Sequence, residues 1–438
     1  MILDEQIPEI GAYRDAERNL PIRTCEHWAP LVVFAGNQDL PVHRWFRFKE
    51  GFSESLFRSI FHELGEALPG REVTVLDPFC GVGTTLLSAQ AFSSKTIHAV
   101  GIERNPFIHF VAQTKLRWPE MNAGSLVADG VRAIRLSGNL NSELPSLSSI
   151  RKGRCVSIHV GRRLAAIAKA ANQVGDNRDF VRLGVAANIE GLSRVRRDGR
   201  ALRIVTKPIR RIEPALRGTW AAMAHDVMSL SQPQQERRST CAVILGDGRN
   251  PATSGIADGS VDLIVTSPPY PNNIDYTEVY KLELWLLGFV VSGADFLALR
   301  RSTFRSHPTY EKTHGVPPEF DDGLRRGPLR SLLGGLLRRL EDTSDAWRGR
   351  LLAAYFGDMW TTIRNLKGTL SNNGRAVMVV GNSLHGTEIP ALVATDLILA
   401  QIAECHGMKA QISVARALKR RLSGNHFLRE SVVIMKKE

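Results

Sequence analysis

Hydrophobic and polar residues follow two periods along this chain, one typical of buried strands and the other of amphipathic helices. From Arg71, the stretch EVTVLDPFCGVGTTLLSAQAF predicts a strand, a glycine-bearing turn and a helix that opens at two threonines. TIHAVGIE, at Thr96–Glu103, predicts a second strand, and residues 105–117 follow as an amphipathic helix. Strand patterning returns in CAVILGDGR and in VDLIVTSPPY, which ends at Tyr270.

The end of the chain repeats this alternation. Residues 351–370 predict a helix, RAVMVVGNS a strand, residues 390–406 a helix, and KAQISVARAL and ESVVIMKK two further strands. Seven strands interleaved with helices predict an α/β fold with a mostly parallel seven-stranded sheet, helices on both faces and two irregular, helical inserts.

The two inserts divide the chain into parts. The expected parts are an N-terminal segment at 1–70 that packs on the ligand site, a catalytic domain at 71–118 and 241–290 with 351–438, a helical and basic first insert at 119–240, and an arginine-rich second insert at 291–350.

Composition limits the classes of function. The 438 residues carry a formal net charge of +13, which favours a polyanionic partner such as nucleic acid. The five cysteines form no CxxC pair and no cluster with histidine, so we expect no disulfide framework and no metal site. The acidic start MILDEQIPEIG does not resemble a signal peptide, and no apolar run is long enough for a membrane span. These features predict a cytoplasmic protein with no membrane partner.

The first strand ends in a turn suited to a nucleotide-like ligand. Asp77 is followed by PFCGVG, and glycines at alternate positions allow the backbone to turn tightly and to approach a ligand closely. The helix that begins near Thr84 would then present unpaired N–H groups. An ordinary strand-to-helix turn is the alternative interpretation.

Two further acids end the next strands. Glu103 lies about twenty residues beyond the turn, where a carboxylate can accept both hydroxyls of a ribose. Asp247 ends the third strand and is placed to accept from an adenine amine. Alternatively, Glu103 is an acid at a helix N-terminus ahead of Asn105, and Asp247 belongs to an Asp-Gly turn. Three acids at consecutive strand ends together predict an adenosine site.

The fourth strand stops at Ser267, Pro268, Pro269 and Tyr270. Prolines cannot donate to a sheet ladder, so the strand ends abruptly where a parallel sheet presents its ligand crevice. Taken alone, the tetrapeptide is a strand terminator followed by a turn.

With these motifs combined, the chain resembles S-adenosylmethionine-dependent DNA amino-methyltransferases, and TSPPY is similar to the catalytic motif of their cytosine-N4 branch. The resemblance implies a Rossmann-like methyltransferase fold, S-adenosylmethionine as cofactor and double-stranded DNA as partner. It is also compatible with a cognate restriction endonuclease, and the oligomeric state stays open. The cofactor residues implied by the motifs are Asp77, Phe79, Gly81, Gly83, Thr84, Glu103, Asn105 and Asp247. The stretch HRWFRFKEGFS, at 43–53, is similar to the family's upstream segment, which contacts the methionine part of the cofactor.

The resemblance gives the tetrapeptide a role. The Ser267 hydroxyl and the Pro268 carbonyl would accept from the exocyclic amine, while the successive prolines stiffen the backbone. Tyr270 would stack on a flipped base. Carbon-5 methylation is disfavoured because no Pro-Cys pair occurs. Serine rather than Asp or Asn at 267 favours cytosine over adenine only as a tendency.

Arginines of the inserts are the DNA-binding candidates. The second insert offers Arg300, Arg301, Arg325 and Arg326, and the first insert offers Arg196 and Arg197 as rivals for the same role. For any one of them, a solvated helix face is the alternative interpretation. The competing functions are an adenine-N6 or RNA amino-methyltransferase, and a nucleic-acid-binding protein that has lost catalysis.

Overall fold

A central sheet and two small sheets organise the protein, for which a computed structural model describes residues 7–65, 68, 70, 72–92, 94–139, 143–144, 153–197, 202–230, 239–272, 274–307, 315–341, 343–385, 390–418 and 427–438. The strands in these ranges are β1 (Ile22–Thr24), β2 (Glu72–Asp77), β3 (Thr96–Glu103), β4 (Val195–Arg197), β5 (Leu202–Ile204), β6 (Thr240–Leu245), β7 (Val261–Thr266), β8 (Leu370–Gly381), β9 (Ser383–His385), β10 (Ala391–Val393), β11 (Met408–Ala417) and β12 (Arg429–Lys437). The α-helices are α1 (Ile10–Asn19), α2 (Glu54–Ile60), α3 (Thr84–Gln90), α4 (Pro106–Leu116), α5 (Leu126–Leu136), α6 (Ile158–Ala170), α7 (Arg178–Asn188), α8 (Ile212–Leu230), α9 (Tyr276–Val279), α10 (Lys281–Leu286), α11 (Gly293–Ser302), α12 (Pro318–Arg325), α13 (Gly335–Glu341), α14 (Ala346–Thr369) and α15 (Thr395–Cys405).

The central sheet has the strand order β1-β11-β12-β8-β7-β2-β3-β6. Strand β12 runs antiparallel to both β11 and β8, and the other neighbouring strands are parallel. All seven strands predicted from the sequence are present, and β1 adds an eighth at the edge beside β11. The prediction of an α/β, Rossmann-like fold with a mostly parallel sheet is confirmed.

The middle of the sheet contains the point where the strand order reverses. Strand β2 pairs with β3 on one side and with β7 on the other, and both pairings are parallel. Asp77, Glu103 and Thr266 end these three strands at the same edge of the sheet. In open sheets of this kind, ligands bind in the crevice at this edge.

Helices cover both faces of the sheet because the central strands are apolar on both sides. Val75 and Leu76 are both fully buried, but they join separate apolar clusters on opposite faces. One cluster includes α3, α4 and the helices of the first insert. The other includes α1 and the helices α12 to α15.

The first insert is a helical bundle built around Trp220. Gly130 of α5 and Gly184 of α7 lie so close to the indole that a β-carbon at either position would come within 2.2 Å of the Trp220 ring. Glycine at both positions is therefore a packing requirement. Asp226 of α8 attaches the bundle to the N-terminal segment, since it accepts from the Trp45 indole nitrogen at 2.9 Å.

The second insert is held against the opposite face. The Arg305 guanidinium and main-chain N–H both donate to the buried Asp358 of α14, at 2.9 and 3.0 Å. Arg339 pairs with Glu9, just ahead of α1, at 2.8 Å. Within the described ranges, no helix combines the length and hydrophobicity needed to cross a bilayer.

Candidate active site

The turn after β2 has the backbone conformation that its glycines predict. Gly81 and Gly83 have φ values of +52° and +83°, in the left-handed region that favours glycine. Gly83 is the residue immediately before α3, so Thr84 opens that helix beside the turn. A β-carbon on Gly81 would lie 3.1 Å from the Phe48 ring, which closes the turn from above.

The Asp77 carboxylate organises this turn from inside. It accepts from the hydroxyls of Thr85 at 2.6 Å and Thr266 at 2.7 Å, and from the main-chain N–H of Phe79 at 3.2 Å. Burial raises the pKa of Asp77 to about 6, and the hydrogen bonds oppose that rise. These contacts couple the glycine turn to the end of β7, where the SPPY tetrapeptide begins.

Glu103 and Asn105, at the end of β3 and just after it, add polar groups to the site. One carboxylate oxygen of Glu103 accepts from the Asn105 main-chain N–H at 2.7 Å. Burial raises the pKa of Glu103 to about 7, although main-chain hydrogen bonds lower it. The Asn105 side-chain oxygen caps α4, while its Nδ2 is buried and has no acceptor among the described residues. A buried donor of this kind is suited to a bound polar ligand.

Asp247 lies in a loop pressed against the glycine turn. A β-carbon on Gly248 would come within 1.9 Å of the Pro78 carbonyl oxygen, so only glycine allows this approach. Arg249 pairs with the Asp247 carboxylate at 2.7 Å and with Asp358 at 3.1 Å. Burial would raise the pKa of Asp247, but hydrogen bonding to Arg249 and its charge more than offset this, and the pKa is lowered. Asp247 is therefore an ionised acceptor, already partly occupied by Arg249.

These walls line one shared cleft. The site residues predicted from the sequence that line it are Asp77, Phe79, Gly81, Thr84, Glu103, Asn105, Asp247, Ser267 and Pro269. Gly83, Pro268 and Tyr270 belong to the same two loops but do not line the cleft. Seven of the eight predicted cofactor residues and two of the four residues of the predicted catalytic tetrapeptide thus line the cleft.

The tetrapeptide is anchored on strand β8. The Ser267 hydroxyl donates to the Val379 carbonyl at 3.2 Å. Tyr270 lies over the main chain of Gly381, where a β-carbon would be 3.0 Å from its ring. Burial raises the pKa of the Tyr270 phenol above its usual range. Tyr270 therefore packs against β8 behind Ser267 and does not line the cleft.

Several wall residues were not identified individually from the sequence. Phe48 and Glu50 lie in the HRWFRFKEGFS stretch, whose resemblance to the family's upstream segment indicated the segment but not the side chains. Tyr280 donates to Glu50 at 3.0 Å, and burial raises the pKa of Glu50. Tyr276 and His307 also line the cleft. His307 is buried with Nδ1 at 3.5 Å from Asp275, and burial lowers its pKa.

The arginines predicted to bind DNA fall into two groups. Arg197 is 7% exposed and pairs with the buried Glu283 and with Glu190, so it is an internal residue rather than a surface contact. Arg300 pairs with the carboxylate of Asp275, which reduces its availability to a phosphate. The remaining candidates, Arg196, Arg301, Arg325 and Arg326, are exposed. No group of three or more His, Cys, Asp and Glu side chains suited to a metal ion occurs in the described ranges.

The class of protein is indicated by comparison with known proteins. The chain is 28% identical over 286 residues to Type II methyltransferase M.BsoBI of Geobacillus stearothermophilus, covering 59% of this chain and 55% of that relative. It is 26% identical over 417 residues to Type II methyltransferase M.AvaI of Nostoc sp. (strain PCC 7120 / SAG 25.82 / UTEX 2576), covering 87% of this chain and 82% of that relative. The match thus spans about half the length of M.BsoBI and most of M.AvaI.

The other comparisons do not narrow the class of protein further. No family model matches the chain. The solved structure of rRNA methyltransferase aviRa from Streptomyces viridochromogenes aligns at 13% identity with a TM-score of 0.28, over 88% of this chain and 85% of that one. The chain is related by sequence to type II methyltransferases, which confirms the methyltransferase resemblance indicated by its motifs.

Proposed function

We propose that this chain is a site-specific DNA methyltransferase that transfers a methyl group from S-adenosylmethionine to the N4 amine of a cytosine flipped out of duplex DNA. The observation that carries the proposal is the shared cleft, in which the glycine turn and Glu103 face the same space as Ser267 and Pro269. A cofactor bound along one part of this cleft would have the acceptor motif beside it.

The polar lining fits an adenosine-containing cofactor. Glu103 would hold the ribose hydroxyls, and Asp247 with the buried Asn105 amide would face the adenine side. The turn at Gly81 to Thr84, closed by Phe48, would hold the methionine part. When bound, S-adenosylmethionine supplies an electrophilic methyl group on a sulfonium.

The residues of the tetrapeptide would orient the amine. The Ser267 proton is directed to Val379, so the hydroxyl oxygen keeps a lone pair for an amine hydrogen. The Pro268 carbonyl, stiffened by consecutive prolines, would accept the second hydrogen. Methyl transfer would form the N–C bond as the S–C bond breaks, release the neutral thioether S-adenosylhomocysteine, and leave a cationic nitrogen whose extra proton passes to solvent water. Neither acceptor needs to become a covalent intermediate, and alignment supplies most of the rate.

A DNA substrate is supported by charge and by the depth of the cleft. The net charge of +13 favours a polyanion. Ser267 and Pro269 line a recessed cleft, and a base inside a duplex cannot reach such a position without leaving the stack. The type II names of the relatives support a role beside a restriction endonuclease acting on the same sequence in the cytoplasm.

Identification of the methylated product tests the proposal. The purified protein would be incubated with unmethylated genomic DNA and S-adenosylmethionine, and the DNA digested to nucleosides for mass spectrometry. N4-methylcytosine is the expected product. N6-methyladenine, or methylation of RNA alone, would replace the cytosine assignment with that of the alternative amino-methyltransferase. Cofactor binding with no methylated product on any nucleic acid would favour a binding protein that has lost catalysis.

A further inference from the structure

A second cavity adjoins the cleft at the glycine turn. Four residues line both spaces, namely Phe48, Gly51, Val82 and Thr84. Lys115 of α4 lines the second cavity and not the cleft, and this cavity is here called the Lys115 pocket. Because the glycine turn is the proposed place of the methionine part, the pocket lies beside that end of the cofactor.

Lys115 brings a buried cation to this pocket. The residue is 1% exposed, and its ammonium donates to the carbonyls of His43 at 2.8 Å and Phe46 at 3.5 Å, two residues that also line the pocket. An ammonium has three N–H donors, so at least one remains for a ligand. Burial alone lowers the pKa of Lys115 to about 7, and no carboxylate among the described residues opposes this. A buried charge without a counter-charge is unfavourable, and a bound anion would offset that penalty.

The rest of the lining is positive or neutral. None of the described residues that line the pocket is Asp or Glu. Arg44 and Arg47 belong to the lining; Arg44 is already paired with Asp226, and Arg47 is exposed. Burial lowers the pKa of His43 to about 3, and the charge of Lys115 acts in the same direction, so this imidazole is neutral. The pocket is therefore suited to a small anion.

Two features favour the carboxylate of an amino acid over a phosphate of the DNA backbone. The ammonium of Lys115 is buried, so the end of a flexible ligand can reach it and the phosphates of a duplex cannot. Glu50, next to Gly51, lines the adjoining cleft and accepts from Tyr280 at 3.0 Å. An acid there suits an ammonium and would repel a phosphate. A cation in the pocket and an acid in the cleft match the two charges of an amino acid.

We propose that the Lys115 pocket binds the carboxylate of the methionine part of S-adenosylmethionine, with Lys115 as the cation that pairs with it. The inference rests on the proposed function, since it requires this cofactor. A bound carboxylate would favour the charged form of the ammonium, which burial disfavours. Lys115 would thereby determine which adenosine compounds bind tightly, namely those with a free carboxylate.

Three ligands that differ at this end test the assignment. S-adenosylmethionine, decarboxylated S-adenosylmethionine and methylthioadenosine, which lacks the whole amino-acid end, would be titrated by calorimetry at about pH 6, where a lysine with a pKa near 7 is charged. The proteins are the wild type, Lys115→Gln and Lys49→Gln. Lys49→Gln is the matched control, because Lys49 also donates to a main-chain carbonyl, that of Arg197 at 2.9 Å, but does not line the pocket.

The ratio of the two cofactor affinities is the decisive measurement. In the wild type and in Lys49→Gln, S-adenosylmethionine should bind about 10–100-fold more tightly than its decarboxylated form, the scale of one charge-assisted hydrogen bond. In Lys115→Gln this preference should largely disappear, while methylthioadenosine should bind as it does to the wild type. Because the ratio compares two ligands on one variant, a general distortion of the site cancels.

Three outcomes would overturn the assignment. A loss in Lys115→Gln that is equal for both cofactor forms would leave Lys115 as a structural support of the N-terminal segment. An unchanged ratio together with weaker binding of a fluorescent duplex would assign the pocket to a DNA phosphate. A wild-type protein that bound all three ligands without preference for the carboxylate would refute the Lys115 assignment alone. If the wild type bound none of them, the proposed function itself would fail, and the assignment with it.

Discussion

The Ser267 hydroxyl donates a hydrogen bond to the Val379 carbonyl at 3.2 Å, which ties the end of β7 to strand β8. This bond fixes both the position of the oxygen and the direction of its proton. We predict that Ser267→Ala lowers kcat on the order of 10²-fold, the scale for loss of one preorganised polar contact. Steady-state kinetics should show this loss without a change in cofactor affinity. Ser267→Thr keeps the hydroxyl and should retain most turnover, and equal losses in both variants would contradict the acceptor role.

Substitutions at Tyr270 distinguish two roles for this residue, support of Ser267 and stacking on a flipped base. Its ring packs on Gly381, and the nearby Ser267 side chain opposes the rise in its pKa that burial causes. If supporting Ser267 is its main contribution, Tyr270→Phe should lower kcat nearly as much as Tyr270→Ala. If it rotates to stack on a flipped base, Tyr270→Phe should remain active and only Tyr270→Ala should fail. Turnover of the two variants decides between these roles, and loss of cofactor binding in parallel would contradict both.

Most of the fold follows from local pattern. Residues such as Val75 and Leu76 belong to a continuous apolar run bounded by turn residues, which predicts a strand buried on both faces. The strand β1 was not predicted because three residues carry too little periodicity. It forms by pairing with β11, almost four hundred residues later in the chain, and such long-range pairing leaves no local signal.

The site was predictable where its residues follow a strand end directly. Asp77 and Glu103 are the last residues of their strands, Ser267 directly follows its strand, and the parallel sheet brings all three to one edge. His307 reaches the cleft through the second insert, and its position depends on packing between distant segments. The burial of Arg197 was equally hard to predict, because an arginine in a basic run gives no sign that it will pair with the buried Glu283. Composition alone could not show which arginines are exposed.

The raised pKa of Glu103 predicts a pH-dependent cofactor affinity. Burial moves this pKa to about 7, so the free protein holds a largely neutral carboxyl at lower pH. Ribose hydroxyls donate more strongly to a carboxylate than to a neutral carboxyl. The affinity for S-adenosylmethionine should therefore rise with pH and level off above about pH 7. Calorimetry would measure this profile.

Glu103→Gln is the matched control for that profile. It cannot ionise, so it should bind more weakly at high pH and lose the dependence near pH 7, with a penalty on the order of 10-fold for one charge-assisted bond. An unchanged profile in Glu103→Gln would assign the titration to another group, such as Asp77, whose pKa is about 6.

Close contact between two loops makes Gly248 sensitive to a single methyl group. Its β-carbon position lies 1.9 Å from the Pro78 carbonyl, so Gly248→Ala must displace Asp247 or the glycine turn. We expect a loss of about 1–3 kcal/mol in unfolding free energy, together with weaker cofactor binding. Gly218→Ala is the control, because its β-carbon position on α8 has no described atom within 4 Å beyond its own helix turn, and alanine there should add about 0.5–1 kcal/mol. Denaturant titration compares the two, and equal effects would contradict the close approach.

The Arg197–Glu283 pair predicts strong thermodynamic coupling between strand β4 and helix α10. Glu283 is fully buried on α10, and Arg197 provides the charge that opposes the effect of burial on its pKa. Arg197→Met leaves this carboxyl without its partner, and loss of one member of a buried pair costs about 3–5 kcal/mol. Because the carboxyl can be protonated, the loss should be smaller at acidic pH, where the neutral form is available.

A double-mutant cycle isolates that coupling. Replacing both members, in R197M/E283L, removes the buried charge and should recover most of the unfolding free energy lost in Arg197→Met alone. Arg325→Met is the surface control, since its ion pair with Asp321 is exposed and should change stability little. If the effects of the two substitutions at 197 and 283 on the unfolding free energy were simply additive, the pair would not couple β4 to α10. R197M/E283L could instead be as stable as the wild type and yet have lost turnover. In that case the charges themselves, beyond packing, keep Tyr280 and Glu50 positioned on the cleft wall.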